Sequence, residues 1–86
     1  MTINFKQAEQ LIILMEEAAE VQQEAAKILR FGRNDSNVER LSKELGDLLG
    51  IMDWVIKEFD INPDTLIKYG EIKQQKMLKW TSYQDK

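Results

Sequence analysis

The sequence predicts an all-α fold of three helices, the first two forming an antiparallel pair. Three observations predict it. No stretch alternates apolar and polar residues in the way of a half-buried strand. Breakers are scarce, with one proline and four glycines in 86 residues. Gly32 and Pro63 stand between long segments whose apolar residues recur at helical spacing.

Each element carries its own start and stop signals. The first helix spans about residues 4–30. Asn4 can cap it, with Gln7 in the capping-box position. Gly32 lies just past its end, where a left-handed residue is wanted, and Lys27 and Arg30 suit the negative end of the dipole. A turn over Gly32 to Asn37 follows. The second helix spans about residues 37–59 and opens with Ser36-Asn37-Val38-Glu39, which reads as a capping box. Asn62 caps a third helix, 63–80, with Pro63 at its first position. The tail from Thr81 to Lys86 is polar and expected to fray. Residues 1–86 read as one domain, with no linker and no repeat beyond the acidic pairs described next.

Four acidic residues come as two pairs with matching spacing: Glu17 and Glu20, then Glu44 and Asp47. A spacing of three puts both side chains of a pair on one helix face. Two packed helices can therefore aim four carboxylates at one point. Crowded carboxylates repel unless a cation sits between them, and a hard divalent ion such as magnesium is the natural occupant. Glu17 falls between Ile13 on one side and Val21 and Ile28 on the other. Ile51, Trp54 and Val55 lie one turn beyond Glu44 and Asp47. These flanks place the acids at the edge of a buried region, where an uncompensated charge is costly. The competing reading is a solvated face, since glutamate is a good helix former.

Composition narrows the chemistry. Cysteine and histidine are both absent, so there is no disulfide, no thiolate nucleophile, and no imidazole base or ligand. Any metal must be held by oxygen. The net charge of −3 and the isoelectric point near 4.9 argue against a nucleic acid polymer as partner. No apolar run is long enough to span a membrane, and no signal peptide is read ahead of the first helix. The expected setting is cytoplasmic, the host cytoplasm if the chain is phage-encoded.

The run Glu16-Glu17-Ala18-Ala19-Glu20, followed after 23 residues by Glu44-Leu45-Gly46-Asp47, resembles the EExxE…ExxD signature of the MazG-like all-α nucleoside triphosphate pyrophosphohydrolases. The segments 16–32 (EEAAEVQQEAAKILRFG) and 44–50 (ELGDLLG) look like the small phage and bacterial members. The resemblance covers the first two helices fully and the third loosely. It implies hydrolysis of a nucleoside triphosphate to the monophosphate and pyrophosphate. It also implies Mg²⁺, or Mn²⁺ in its place, held by Glu17, Glu20, Glu44 and Asp47, and assembly of helical hairpins into dimers or tetramers. One departure from the pattern is the short third helix. Substrate contacts supplied by flanking segments in the family must here be missing or come from a neighbouring subunit. Base, sugar and the choice between a nucleotide and an alarmone are left open.

The physical logic runs the same way. A triphosphate meets an acidic site only through bridging metal ions, which also lower the pKa of a bound water. Glu24, one turn beyond Glu20, is a candidate to complete the metal shell or line the pocket, with Glu16 a weaker one. Lys76, flanked by Ile72 and Trp80 on the third helix, and Arg30 are candidates to bind phosphate. Against these readings stand snorkelling for Lys76 and Lys73 and dipole complementation for Lys27, Arg30 and Arg33. Trp54 is the better base-stacking candidate and Trp80 the weaker, against packing for both. Gly46 and Gly50 leave a groove on the second helix, read as close helix packing ahead of ligand approach.

The apolar stripes are read as Leu11, Leu14, Met15, Ala18, Ala25 and Leu29 on the first helix, and Leu41, Leu45, Leu48, Leu49, Met52, Ile56 and Phe59 on the second. Both helices also carry apolar residues off these stripes, more than one chain can cover. A homo-oligomer with a four-helix core is expected. The alternative to an enzyme is a helical interaction protein that docks a basic partner through its acidic face.

Overall fold

A computed structural model describes residues 2–81. Helix α1 spans Phe5–Phe31, α2 Asp35–Glu58 and α3 Pro63–Trp80, with no strand among the described residues. The all-α, three-helix expectation is met.

The local signals explain most boundaries. Asn4 Oδ1 accepts the Gln7 N–H at 2.8 Å, and Gln7 Oε1 accepts the Asn4 N–H at 3.0 Å, which completes the capping box. Gly32 takes φ +91° just past α1, a region open to glycine. Asn62 Oδ1 accepts the Asp64 N–H at 2.9 Å ahead of Pro63. The start of α2 differs from expectation. Asn34, not Ser36, is the cap, its Oδ1 accepting the Asn37 N–H at 2.8 Å, and the helix begins at Asp35. Asparagine caps as well as serine, and the earlier start brings Asp35 into the positive first turn. Ser36 Oγ instead accepts from Arg40 Nη1 at 2.8 Å. Of the tail, Thr81 caps α3 by donating its hydroxyl to Met77 O at 2.7 Å. Residues 82–86 lie outside the described residues.

The turn between α1 and α2 is stapled by Asn37. Its buried amide donates to Gly32 O at 2.9 Å and its Oδ1 accepts from Arg40. This satisfies a carbonyl that the end of α1 leaves orphaned. Two ion pairs cross the antiparallel hairpin: Arg40 with Glu24 at 3.5 Å near the turn, and Lys6 with Glu58 at 3.3 Å at the open end.

The side chains buried or half-buried on α1 include Gln7, Gln10, Leu14, Glu17, Val21, Glu24 and Ile28, and on α2 Asn37, Leu41, Glu44, Leu48, Ile51, Val55 and Glu58. Both rows step by threes and fours, the register of a coiled-coil seam. This revises the expected stripes. Leu14, Leu41 and Leu48 do face the partner helix, but Met15 and Leu29 are 70% and 90% exposed and Leu49 is 65% exposed. The seam is rotated toward the acids; Leu11, Ile56 and Phe59 of the expected stripes are half-buried at its margin, and the rest of the two stripes lies outward. Helix α3 has no extensive packing against either helix of the hairpin and buries no residue. The radius of gyration is 15.8 Å, against roughly 12 Å for a compact chain of this length. The accessible surface, 7389 Å², likewise exceeds the roughly 5,300 Å² of a globular monomer of this mass. No helix among the described residues is long and apolar enough to cross a membrane.

Candidate functional site

The antiparallel hairpin brings both acidic pairs to one place. One carboxylate oxygen from each of Glu17, Glu20, Glu44 and Asp47 lies within 4.8 Å of the others. Seam register explains the convergence. Glu17 and Glu44 are half-buried seam residues, and Glu20 and Asp47 sit three positions along, on the exposed flank.

The electrostatics are those of a crowd of like charges. The Glu20 carboxyl is pushed up from 4.5 to about 7, first by a hydrogen bond with Glu44 that requires a proton, then by repulsion from Glu17 and Glu44. Glu17 Oε2 and Glu44 Oε2 are withdrawn from water and have no hydrogen-bond partner. Buried acceptors of this kind demand a donor or a cation. Part of the charge is met from within. Lys43 Nζ lies 2.9 Å from Asp47 Oδ2 and 3.4 Å from Glu44 Oε1, and these contacts push its pKa up to about 12.

Such an oxygen set suits a hard divalent cation. Oxygens around one Mg²⁺ at about 2.1 Å stand roughly 3–4 Å apart, so the 4.8 Å envelope is close to that of a ligand shell. The buried oxygens of Glu17 and Glu44 are acceptors that a cation, a water or a protonated neighbouring carboxyl would satisfy.

An open cleft of about 550 Å³ adjoins the carboxylates, lined by Ile13, Glu17, Gly46, Asp47, Gly50, Ile51 and Trp54. The Trp54 indole is 62% exposed in its wall. Gly46 and Gly50 have nothing within 4 Å of where a Cβ would stand. Within one chain they open the cleft floor, and the close helix packing expected of them is not made there.

Other candidates lie elsewhere. Glu24 is outside the four-carboxylate group; its oxygens pair with Lys27 at 3.0 Å and Arg40 at 3.5 Å, so both are already committed. Glu16 is exposed and apart from the group. Arg30 stands ten residues beyond Glu20, about 15 Å along the helix, with its guanidinium 5.7 Å from the Phe31 ring centre. Lys76 lines a separate small cleft on α3 with Lys73, Met77 and Trp80. Within one chain, therefore, neither Arg30 nor Lys76 joins the carboxylates. One participant went unread in the sequence: Lys43, whose signal is its place four residues before Asp47. Protein-family models, curated proteins and solved structures were all compared with the chain, and none matches.

Proposed function

We propose that the chain is a Mg²⁺-dependent nucleoside triphosphate pyrophosphohydrolase. The observation that carries this reading is the convergence of Glu17, Glu20, Glu44 and Asp47, two of whose oxygens are buried and unpartnered. These four would hold the metal, with Mn²⁺ a workable substitute. Bound Mg²⁺ supplies neutralising charge for the phosphates and a more acidic water. The chain's own part is positioning. Glu17 and Glu44, fixed in the seam, set the ligand direction, and Glu20 and Asp47 close the cluster from the exposed side. In the reaction, water adds to the α-phosphorus, the bond to the bridging oxygen breaks, and the monophosphate and pyrophosphate leave. The released proton passes to a carboxylate or to solvent. The adjoining cleft offers Trp54 as a face for the base.

The same reading includes assembly. The outward stripe of Met15, Ala18, Ala25 and Leu29 continues across the hairpin into Leu45, Leu49 and Met52, bordered by half-buried Leu11 and Ile56. A second hairpin laid on it makes a four-helix core, in a dimer or tetramer. Helix α3, free of its own hairpin, is then available to bring Lys76 and Trp80 toward a neighbour's site.

The deciding experiment is a panel of nucleoside triphosphates with Mg²⁺, read by pyrophosphate release against orthophosphate release. Pyrophosphate from at least one substrate, lost in Glu20→Gln, is expected. A second reading has one observation in its favour: Lys43 already neutralises Glu44 and Asp47, so the cluster accepts an ammonium group. On that reading the acidic face docks a basic partner, and binding responds to ionic strength and not to divalent ions.

A further inference from the structure

The groove does not end at Trp54. Trp54 lines two clefts, the one beside the carboxylates and a second of about 360 Å³ with Lys6, Gln10, Lys57 and Glu58. Register places them in line. Gln10 precedes Glu17 by seven residues, and Trp54 follows Asp47 by seven. Because α1 and α2 are antiparallel, both steps run the same way along the hairpin, two turns or about 10 Å. Carboxylates stand at one end of this track and an indole face and an amide at the other. The spacing is comparable with the reach of a nucleotide from phosphates to base.

Gln10 is the unusual member. It is 6% exposed, and its Oε1 is buried with no hydrogen-bond partner. A seam position two turns from Glu17 needs no amide for packing; leucine would serve it better. An unpartnered buried amide oxygen costs stability unless something donates to it. A primary amide presents a donor and an acceptor side by side, and heterocyclic bases present the complementary pair on one edge. Reading a base by edge hydrogen bonds while an aromatic face stacks on it is a general solution to base recognition.

We infer that Gln10 and Trp54 form the base subsite, with the ring stacked on Trp54 and its hydrogen-bonding edge read by the Gln10 amide. Gln10 is then the residue that sets base preference. This rests on the pyrophosphohydrolase reading for the phosphate end of the track, but its test need not.

The test uses the full chain in a Trp80→Phe background, where Trp54 is the remaining tryptophan. Free nucleosides without metal should quench Trp54 emission, and inorganic tripolyphosphate with Mg²⁺ should not. Gln10→Leu should keep the quenching, raise the melting temperature, and collapse the spread of affinities among the four nucleosides. The preferred one should lose about tenfold, as expected for one bidentate pair. Gln10→Met provides the same readout with a different shape. Hydrolysis, where present, should show the same loss of base ranking in kcat/KM. Absence of quenching by every nucleoside overturns the subsite. So does an unchanged ranking in both Gln10 variants, even if turnover is robust. Quenching and ranking in a chain that hydrolyses no triphosphate would uphold the subsite and overturn the catalytic reading alone.

Discussion

Lys43 Nζ lies 2.9 Å from Asp47 Oδ2, so a cation tethered to the chain already leans on the four-carboxylate group. The pair is spaced i, i+4 on α2 and the lysine is largely exposed. It is a counter-charge that can swing away at little cost.

Replacing that lysine should therefore favour a free ion. Lys43→Met is expected to shift Mg²⁺-dependent thermal stabilisation to lower ion concentration, roughly threefold. Differential scanning calorimetry across a Mg²⁺ series measures it. A shift to higher concentration would mean that Lys43 supports the metal and does not compete with it.

The proton on Glu20 makes a prediction about pH. The folded value of about 7 stands above the ordinary 4.5, so the folded chain holds a proton that the unfolded chain gives up. Stability from this group is fully present below pH 4.5 and is lost as pH rises through 7. The metal-free protein should melt progressively lower over that window. Glu20→Gln should flatten the dependence, leave the fold intact and abolish turnover, and Mg²⁺ should restore the parent at pH 7.5. Identical pH profiles for parent and Glu20→Gln would sink the assignment.

Assembly is testable at a single position. Leu49 is exposed within the hairpin, so a charge there costs one chain little. Leu49→Glu should retain helical circular dichroism yet fall to the monomer mass of 10.1 kDa in light scattering at micromolar protein. The parent should be at least a dimer. A parent that is monomeric and active removes the four-helix core.

A local correction should stabilise the chain. Asp60 follows α2 with φ +53°, while Ile61 N–H donates to Ile56 O at 2.9 Å and Asp60 N–H to Lys57 O at 3.3 Å. This is a Schellman ending, whose left-handed position favours glycine. Asp60→Gly should raise stability by up to about 1 kcal/mol, seen as a melting temperature a few degrees higher. A lower melting temperature would show that the Asp60 side chain contributes something its backbone does not reveal.

What was legible in the sequence was what is decided locally. Asn4 with Gln7, and Asn62 with Pro63, fix their helix starts through side chains three residues or fewer away. Asn34 and Ser36 illustrate the limit, since two competent caps two residues apart cannot be ranked by local chemistry. The acidic convergence was legible because a spacing of three survives any rotation of the helix. The seam was not. Apolar content says that Met15, Leu29 and Leu49 want covering, but not by which surface, and a half-apolar row through Glu17, Glu24 and Glu44 holds the hairpin instead. Gln10 escaped notice because a single glutamine near a helix start looks like solvent-facing polarity until its burial is known.

The glutamates within that seam have a mechanical consequence. Ile28, Leu41 and Val21 close the hairpin near the turn, and Leu14, Ile51 and Val55 close it toward the open end. Between them, beside Leu48, lie Glu17 and Glu44, whose charges both repel the neighbouring Glu20 carboxyl. The hairpin is thus a clip fastened at both ends and sprung at the middle. Without a counter-ion, its central amides should exchange with deuterated water sooner than those at either fastening. A cation bound at the centre would join two short clasps into one cooperative unit.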